Sequence, residues 1–563
     1  MKKNKLLPTV IFSILSIFLL KALFSEGFYT SHDGPSHLSR VAQYTIALKD
    51  GQFPPRWASG LYGGLGYPVF VYSYHLPFFI SSVIHQMGAS IVNSVKILYL
   101  VGFAASGFGM YLFLKEYYSD LESYVGSIFY LLFPYRFIVI FVRSAIGEAL
   151  SIALVPYALW ALTKVMKNGS KKWIALSSLL LFAAVTSHTL FLTTFFPIIL
   201  LIVLIKKSKY KNKAIASILI GLVCSSFMLV PQLFERKYSG LDDYFQSNST
   251  KHLVSLKQLI RSPWGYGYSH PGVEDDAMSF QIGLIHLFVL GLSVFKLFNK
   301  RSKINQKSQN TFWLVVALCS IVLMIDTPAI FKLWSGFLSN TAIDIPWRLL
   351  GIVGLSTSIL SADLISFAKH KKTLSFLLII FLFYANRNHL RINQQWVVSD
   401  EDVYEMHDTT TYLNEFKPSW RGNSGLEKVD EKVLVVEKGK EQKVDIINSK
   451  SNLIEFETNF ANSGDVNINT LYFPGWSIEQ TRNTKTKTLH IGRDYFIRKN
   501  NIEGYSKKQV DGTIYLKAPE GKTFYKISFS ETPIRKLGNY ASIVGFSLIL
   551  ILMTSGLYTK NSE

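Results

Sequence analysis

Apolar runs long enough to cross a bilayer recur along the chain, separated by short polar segments; a membrane span needs roughly 20 mostly apolar residues. They lie near residues 6–24, 91–114, 122–141, 146–163, 172–187, 189–205, 213–233, 279–298, 312–326, 347–367, 373–386 and 537–557. The pattern predicts an α-helical polytopic membrane protein with about 12 transmembrane helices. Leu6 to Phe24 reads as a retained helix, because no small-x-small cleavage site precedes Glu26.

One long stretch departs from that pattern. Residues 388–536 show period-two alternation, as in Leu453 to Thr458 and Val466 to Leu471, with Asp511-Gly512 and Glu520-Gly521 as turn signals. A β-sandwich domain is expected there, before the last helix. The aromatic run Leu471 to Trp476 suits core packing better than a sugar platform. The predicted organisation is a transmembrane domain over 1–387 with a first outer loop at 25–90, an extracytoplasmic β-rich domain over 388–536, and a closing helix with a short cytoplasmic tail over 537–563.

Composition agrees with a chain whose main solvent is lipid: 49% of residues are hydrophobic and only 17% charged. The formal net charge of +21 would suggest nucleic acid in a soluble protein. Here many basic residues sit in clusters between apolar runs, which makes them topology signals and removes nucleic acid from the expected partners. Lys2, Lys3 and Lys5; Lys164, Lys167, Lys171 and Lys172; Lys206 to Lys213; Lys296 to Lys307; Lys369, Lys371 and Lys372; and Lys560 all fall on one side. That side is the cytoplasm, so a multi-pass protein of the cell membrane with both termini inside is expected. Segments 25–90, 234–278, 327–346 and 388–536 are then left outside. Cys224 and Cys319 each lie inside an apolar run and suggest neither a disulfide framework nor a thiolate metal site.

The outer segments carry the candidate chemistry. In Ser31 to Arg40, Asp33 stands where it can cap a helix with Pro35 in its first turn. Helical spacing puts His37, Arg40 and Tyr44 on one face and Leu38, Val41, Ala42 and Leu48 on another, as in a helix lying in the membrane interface. The following segment contains Arg56, the glycine-rich run 60–66, and Tyr74 with His75. It has too many helix breakers to span, and is expected to fold on the membrane surface and re-enter with Leu76 to Met87. Glu148 opens the fourth run, where a buried carboxylate needs a partner; Arg143 and Arg136 are both near in sequence. His188 closes the fifth run, and Asp344 and Arg348 open the tenth.

Taken singly, Asp33 is a helix cap, His188 an interfacial histidine, and Trp347 with Arg348 an aromatic-belt anchor. Jointly they describe acids and arginines at headgroup level. That set suits a reaction on a lipid phosphate: arginine neutralises the phosphate, and a carboxylate takes an acceptor's proton or holds a divalent cation. No glycine-rich phosphate loop follows a predicted strand, so a lipid-linked donor is expected in place of a nucleotide sugar.

At these residues the chain resembles the bacterial membrane proteins labelled 6-pyruvoyl-tetrahydropterin synthase-related, which in turn resemble the GT-C class of membrane glycosyltransferases. The motifs that carry the likeness are the His-Asp-Gly-x-x-His loop from His32 to His37, Lys-Asp-Gly-x-Phe-Pro-Pro-Arg-Trp ending at Trp57, Gly147-Glu148, Ser187-His188 and Pro346-Trp347-Arg348, together with Phe-Pro-Gly-Trp and Thr-Pro-Ile-Arg-Lys further on. The resemblance implies a GT-C-like membrane domain and a polyprenyl-phosphate-linked sugar as donor. A cell-envelope glycan, lipid or protein would be the acceptor, with membrane lipids as surroundings. Asp33 then takes the position of the catalytic acid of the first outer loop, and Glu148 that of the second. His32, His37, Arg40, Arg56, Tyr74, His75, Arg143, His188, Asp344 and Arg348 are the expected substrate-binding set, and Asp33 is the candidate ligand for Mg²⁺ or Mn²⁺. The loop has His-Asp-Gly where that class commonly has an Asp-Glu pair, which puts metal dependence in question. The rival readings are a non-catalytic envelope polysaccharide assembly factor and a transporter of lipid-linked saccharides. The scarcity of charge deep in the spans weighs against the transporter.

Overall fold

The computed structural model describes residues 6–272, 276–297, 304–339, 343, 345–407, 414–421, 431–489 and 512–558. Four helices are long and apolar enough to cross a membrane: Ile91–Leu114, Ile146–Asn168, Pro346–Phe367 and Pro533–Ser555. Two bent pairs bring the total to six: Asp120–Leu131 with Pro134–Val142, bent by 48°, and Lys211–Cys224 with Ser226–Phe234, bent by 69°.

Among the described residues, length and composition therefore support four to six spans instead of the expected dozen. The reason lies in where helices stop. The expected runs 172–187 and 189–205 do separate at His188, and the second is divided again into the short turn Leu190–Thr193 and the 11-residue helix Phe195–Ile205. Leu284–Leu297 has 14 residues and Lys371–Asn386 has 16. At about 1.5 Å per residue a helix of 16 residues rises roughly 24 Å, short of the roughly 30 Å hydrocarbon core.

The break inside the third run has a local cause. Pro134 follows Phe133, and the ring of a proline disfavours helical backbone in the residue before it. Phe133 is extended, at φ −68° and ψ 126°, and Pro134 opens a new short helix.

The first outer loop begins with strand Phe28–Tyr29, paired antiparallel with Gln395–Trp396, and continues into helix Gly34–Lys49. This helix does not lie open in an interface: His37, Arg40 and Tyr44 are all buried. Helix Leu76–Gln86 and the short helix Asp400–Tyr404 pack on this helix and cover what an interfacial helix would leave open.

The C-terminal part contains two antiparallel sheets. One orders its strands as Thr513–Ala518, Gly464–Leu471, Val433–Glu437 and Lys440–Gln442; the other as Ile446–Lys450, Leu453–Phe460, Gly521–Phe529, Trp476–Arg482 and Lys485–Leu489. Leu453–Phe460 alternates in burial, as a strand with one covered face does. Gly464–Leu471 is buried along nearly its whole length, and its end meets the first outer loop, where Leu471 donates its N–H to the Leu65 carbonyl at 2.8 Å. Trp57 packs against Phe473, Trp476 and Phe529 at ring separations of 6.3, 5.6 and 5.4 Å. The Leu471 to Trp476 run is thus core at the junction between the sheets and the outer loop.

Candidate active site

The site is assembled around the turn that joins the broken third run to helix Ile146–Asn168. Residues Ile138–Val142 form a π-helical turn, and Ser144 then takes a left-handed backbone, at φ 55°. Such a conformation is uncommon outside glycine and marks a locally over-determined segment. It turns the Val142 and Arg143 carbonyls toward the first outer loop, where they accept the N–H groups of His32 at 3.1 Å and Asp33 at 2.8 Å. The Tyr29 hydroxyl donates to the Ile140 carbonyl at 2.7 Å, fixing the loop from its other end.

Asp33 stands at the N-cap position of helix Gly34–Lys49, but its side chain makes no capping hydrogen bond. Its carboxylate faces Arg143 instead, Nη2 to Oδ2 at 3.5 Å. The same guanidinium donates from Nη1 to Glu148 Oε2 at 2.6 Å, and Arg348 Nε approaches that oxygen at 3.8 Å. The Tyr135 hydroxyl donates to the other Glu148 oxygen, and Trp347 lies under Arg143 at 5.1 Å. Glu148 is 2% exposed while the Asp33 side chain keeps 35% of its surface open. The two acids therefore differ in role: Glu148 is a buried anchor for the guanidiniums, and Asp33 is the one a substrate can reach. Burial raises the Asp33 carboxyl, but Arg143, His37, His32 and Arg348 together outweigh it and hold the group below its ordinary range.

A chain of rings continues from Asp33. His37 Nδ1 lies 2.8 Å from the Asp33 carbonyl, which can only accept, so Nδ1 carries the proton. The neutral ring then accepts at Nε2 from the Tyr74 hydroxyl at 2.8 Å. Tyr74 stacks on His188 at 4.7 Å, whose Nδ1 accepts the Leu190 N–H at 3.0 Å. Burial lowers His37 to about 4; burial, with Arg348 next, lowers His188 to about 3. Gly147 makes this packing possible, since a Cβ there would stand 2.4 Å from the Tyr74 ring and 2.7 Å from the Ser187 carbonyl.

Asp33, His37, Tyr74, Arg143, Glu148, His188 and Arg348 are thus brought together, and His32 borders them. Its Nε2 donates to the Tyr266 carbonyl at 3.2 Å and its ring stacks on Tyr268 at 4.4 Å. Other expected members lie elsewhere. Arg56 is bound to Glu531 at 3.0 Å and Asn539 at 3.0 Å, and so ties the outer loop to the C-terminal part. His75 turns inward, to the Tyr44 hydroxyl at 3.1 Å and the Phe227 ring at 5.1 Å. Arg40, one turn beyond His37, faces the Phe416 ring at 5.9 Å. Arg136 donates to Ser106 at 2.8 Å, leaving Arg143 as the partner of Glu148. Asp344 lies outside the described residues. Sequence reasoning missed Tyr135, for which a signal was present: Pro134 inside an apolar run marks a break, and Tyr135 is the polar residue next to it.

Among the described residues no group of three His, Cys, Asp or Glu side chains is placed to hold a metal, and guanidiniums already engage both acids.

A family model described as a 6-pyruvoyl-tetrahydropterin synthase related domain, a membrane protein, matches residues 70–394. That span takes in Tyr74, Arg143, Glu148, His188 and Arg348 and covers more than half of the chain. No curated protein matches in sequence. Among solved structures the chain is similar to the arabinofuranosyltransferase AftD from Mycobacteria, with a TM-score of 0.42 and 13% identity over 67% of this chain and 27% of that one. It is also similar to the oligosaccharyltransferase of Archaeoglobus fulgidus tethered with an acceptor peptide, with a TM-score of 0.39 and 11% identity over 72% of this chain and 55% of that one. The chain thus spans about a quarter of the first protein and about half of the second.

Proposed function

This chain belongs to the 6-pyruvoyl-tetrahydropterin synthase related family of membrane proteins, and from that premise we propose that it is an integral-membrane, inverting glycosyltransferase. It moves a sugar from a polyprenyl phosphate to a cell-envelope acceptor at the outer face of the membrane. The observation that carries the reading is the Arg143 fork, which joins a buried acid, Glu148, to an accessible one, Asp33, with Arg348 beside them.

In the proposed step an acceptor hydroxyl gives its proton to the Asp33 carboxylate as its oxygen bonds the anomeric carbon. The bond from that carbon to the phosphate oxygen breaks, and its electron pair leaves with the polyprenyl phosphate. Arg348 and Arg143 neutralise the charge that develops on the leaving phosphate, as guanidiniums do in a water-poor site. Glu148 and Tyr135 hold the guanidiniums in place, and the His37–Tyr74–His188 stack lines the pocket with neutral rings. No divalent cation is written into the step.

The orientation follows from the charge pattern. Helix Ile146–Asn168 carries Glu148 in its first turn and Lys167 in its last, and basic clusters favour the cytoplasmic side. The sheets meet the loop that carries Asp33 through Leu471 and Phe473, and in this reading they recognise the acceptor.

The test is release of polyprenyl phosphate by the purified protein from a panel of polyprenyl-phosphate sugars with membrane acceptors, with and without EDTA. Metal-independent turnover supports the reading. Absence of turnover with every donor, together with in-cell complementation by Asp33→Asn, would favour the assembly-factor reading.

A further inference from the structure

The segment Ser262 to His270 reads Ser-Pro-Trp-Gly-Tyr-Gly-Tyr-Ser-His, and the structure explains its alternation. The ribbon crosses Ala277 at its two glycines: a Cβ on Gly265 would stand 2.2 Å from the Ala277 carbonyl oxygen, and one on Gly267 would stand 2.3 Å from the Ala277 Cβ. Gly267 donates to the Ala277 carbonyl at 3.0 Å, and Ala277 donates back to the Tyr268 carbonyl at 3.1 Å. The close crossing sends the three aromatic rings to three different places. Trp264 stacks on His389 at 4.4 Å. Tyr266 donates its hydroxyl to the Arg391 carbonyl at 2.9 Å. Tyr268 stacks on His32, at 4.4 Å and 29° between planes.

Trp264 and Tyr266 are half-buried, whereas Tyr268 is 59% exposed. An exposed aromatic ring is ordinarily free to turn, but this one rests on His32 on one face and its backbone carbonyl is held by the Ala277 N–H. His32 beneath it is fixed by its bond to the Tyr266 carbonyl. Ser269, the next residue, is gripped by Trp347 Nε1 at 3.2 Å and by His252 Nδ1 at 2.9 Å. Trp347 in turn underlies Arg143. A rigid, open aromatic face is therefore built onto the residue that precedes Asp33, with its loop tied to the acid pocket.

We propose that the Tyr268 ring, seated on His32, is a stacking platform for a sugar ring of the acceptor, so that the acceptor is a saccharide-bearing molecule. This rests on the glycosyltransferase reading for its chemistry. The apolar C–H face of a pyranose packs on an aromatic face, while its hydroxyls stay in water; a tyrosine offers that face at low entropic cost because the ring is already fixed. Because Tyr268 already stacks on His32 at 4.4 Å, a sugar on its outer face lies one ring further out from the residue that precedes Asp33. The platform therefore holds a ring of the acceptor neighbouring the one whose hydroxyl attacks.

The experiment compares wild type, Tyr268→Ala and Tyr268→Phe, using one donor and two acceptors that differ only in carrying a sugar ring. Loss of one stacking contact corresponds to about a tenfold rise in KM for the saccharide acceptor in Tyr268→Ala. Donor KM and kcat stay unchanged, Tyr268→Phe behaves as wild type, and the sugar-free acceptor shows no difference. An unchanged saccharide KM, or an equal loss with both acceptors, overturns the proposal; the second result would make Tyr268 a membrane-interface anchor. If wild type turns over no donor, the glycosyltransferase reading fails separately, and binding of cellotriose, maltotriose and chitotriose by saturation-transfer NMR decides the platform. Binding that Tyr268→Ala weakens about tenfold supports it; binding that Tyr268→Ala leaves unaltered, or none by wild type, overturns it.

Discussion

Two arginine–carboxylate networks in this molecule are made of the same residue types and differ in how far they open to solvent. In one, Arg535 binds Glu235 at 2.8 Å and the Pro474 carbonyl at 2.8 Å, while Arg56 binds Glu531 and Asn539. Arg535 is 0% and Glu235 3% exposed. This network joins the last helix, the sheets and the outer loop, and its inner pair is closed to solvent. In the other, Arg143 joins Glu148 to Asp33, and one end of the fork remains open. Burial and pairing alone do not identify a site. What separates the two is that Asp33 keeps 35% of its side chain open against 24% for Glu531, and stands among His37, Tyr74 and His188.

That contrast can be broken in several ways. The largest effect is expected from Arg143→Lys. A single ammonium cannot reproduce a fork that serves two carboxylates, so turnover should fall by about 10²-fold or more, measured as kcat with folded protein counted by size-exclusion chromatography. Second is Glu235→Gln in the strut. Removing one partner of a buried pair costs about 3–5 kcal/mol, so thermal unfolding should move to lower temperature while kcat per folded molecule stays unchanged. Third is Gly147→Ala, whose Cβ meets the Tyr74 ring. Overpacking of about 1–3 kcal/mol is expected, with a lower Tm and lower kcat together, because the same ring supports His37 and His188.

The smallest effect is on pH. His37 and His188 are lowered by burial to about 4 and about 3, against an ordinary value of 6.5. The unfolded chain takes up protons on these rings below about pH 6.5 while the folded chain does not, so stability is full above that value and declines as pH falls below it. Turnover, in contrast, should stay flat between about pH 5 and about pH 7, since neither ring titrates there. A step in kcat near pH 6.5 would show that one of the histidines is solvated in the working enzyme.

Much of this site was legible in the sequence because its members are polar residues at the ends of apolar runs. Asp33, Glu148, His188 and Arg348 stand out for that reason, and Arg143 follows as the nearest counter-charge. The role of Arg56 was not legible. It lies in a polar outer-loop motif like those around it, and its partner Glu531 is 475 residues away in sequence, so only folding reveals that it is a strut. The helix count failed for a different cause. Hydropathy registers apolar composition and not where a helix stops, and runs such as 279–298 and 373–386 form helices of only 14 and 16 residues. The alternation in Leu453 to Thr458 did indicate strand, because a period of two is a local property of the pleat. Tyr268 went unnoticed because a Gly-Tyr-Gly-Tyr stretch reads as loop until its crossing with Ala277 is seen.

The measurement that bears most directly on the central claim sets Asp33→Asn beside Glu531→Gln in the same polyprenyl-phosphate release assay, each with its melting curve. Because the Asp33 side chain caps nothing and Glu531 belongs to the strut, the account predicts a stable but inactive Asp33→Asn and a less stable Glu531→Gln that is active per folded molecule. An active Asp33→Asn, or two variants that lose activity only in step with their stability, would contradict it.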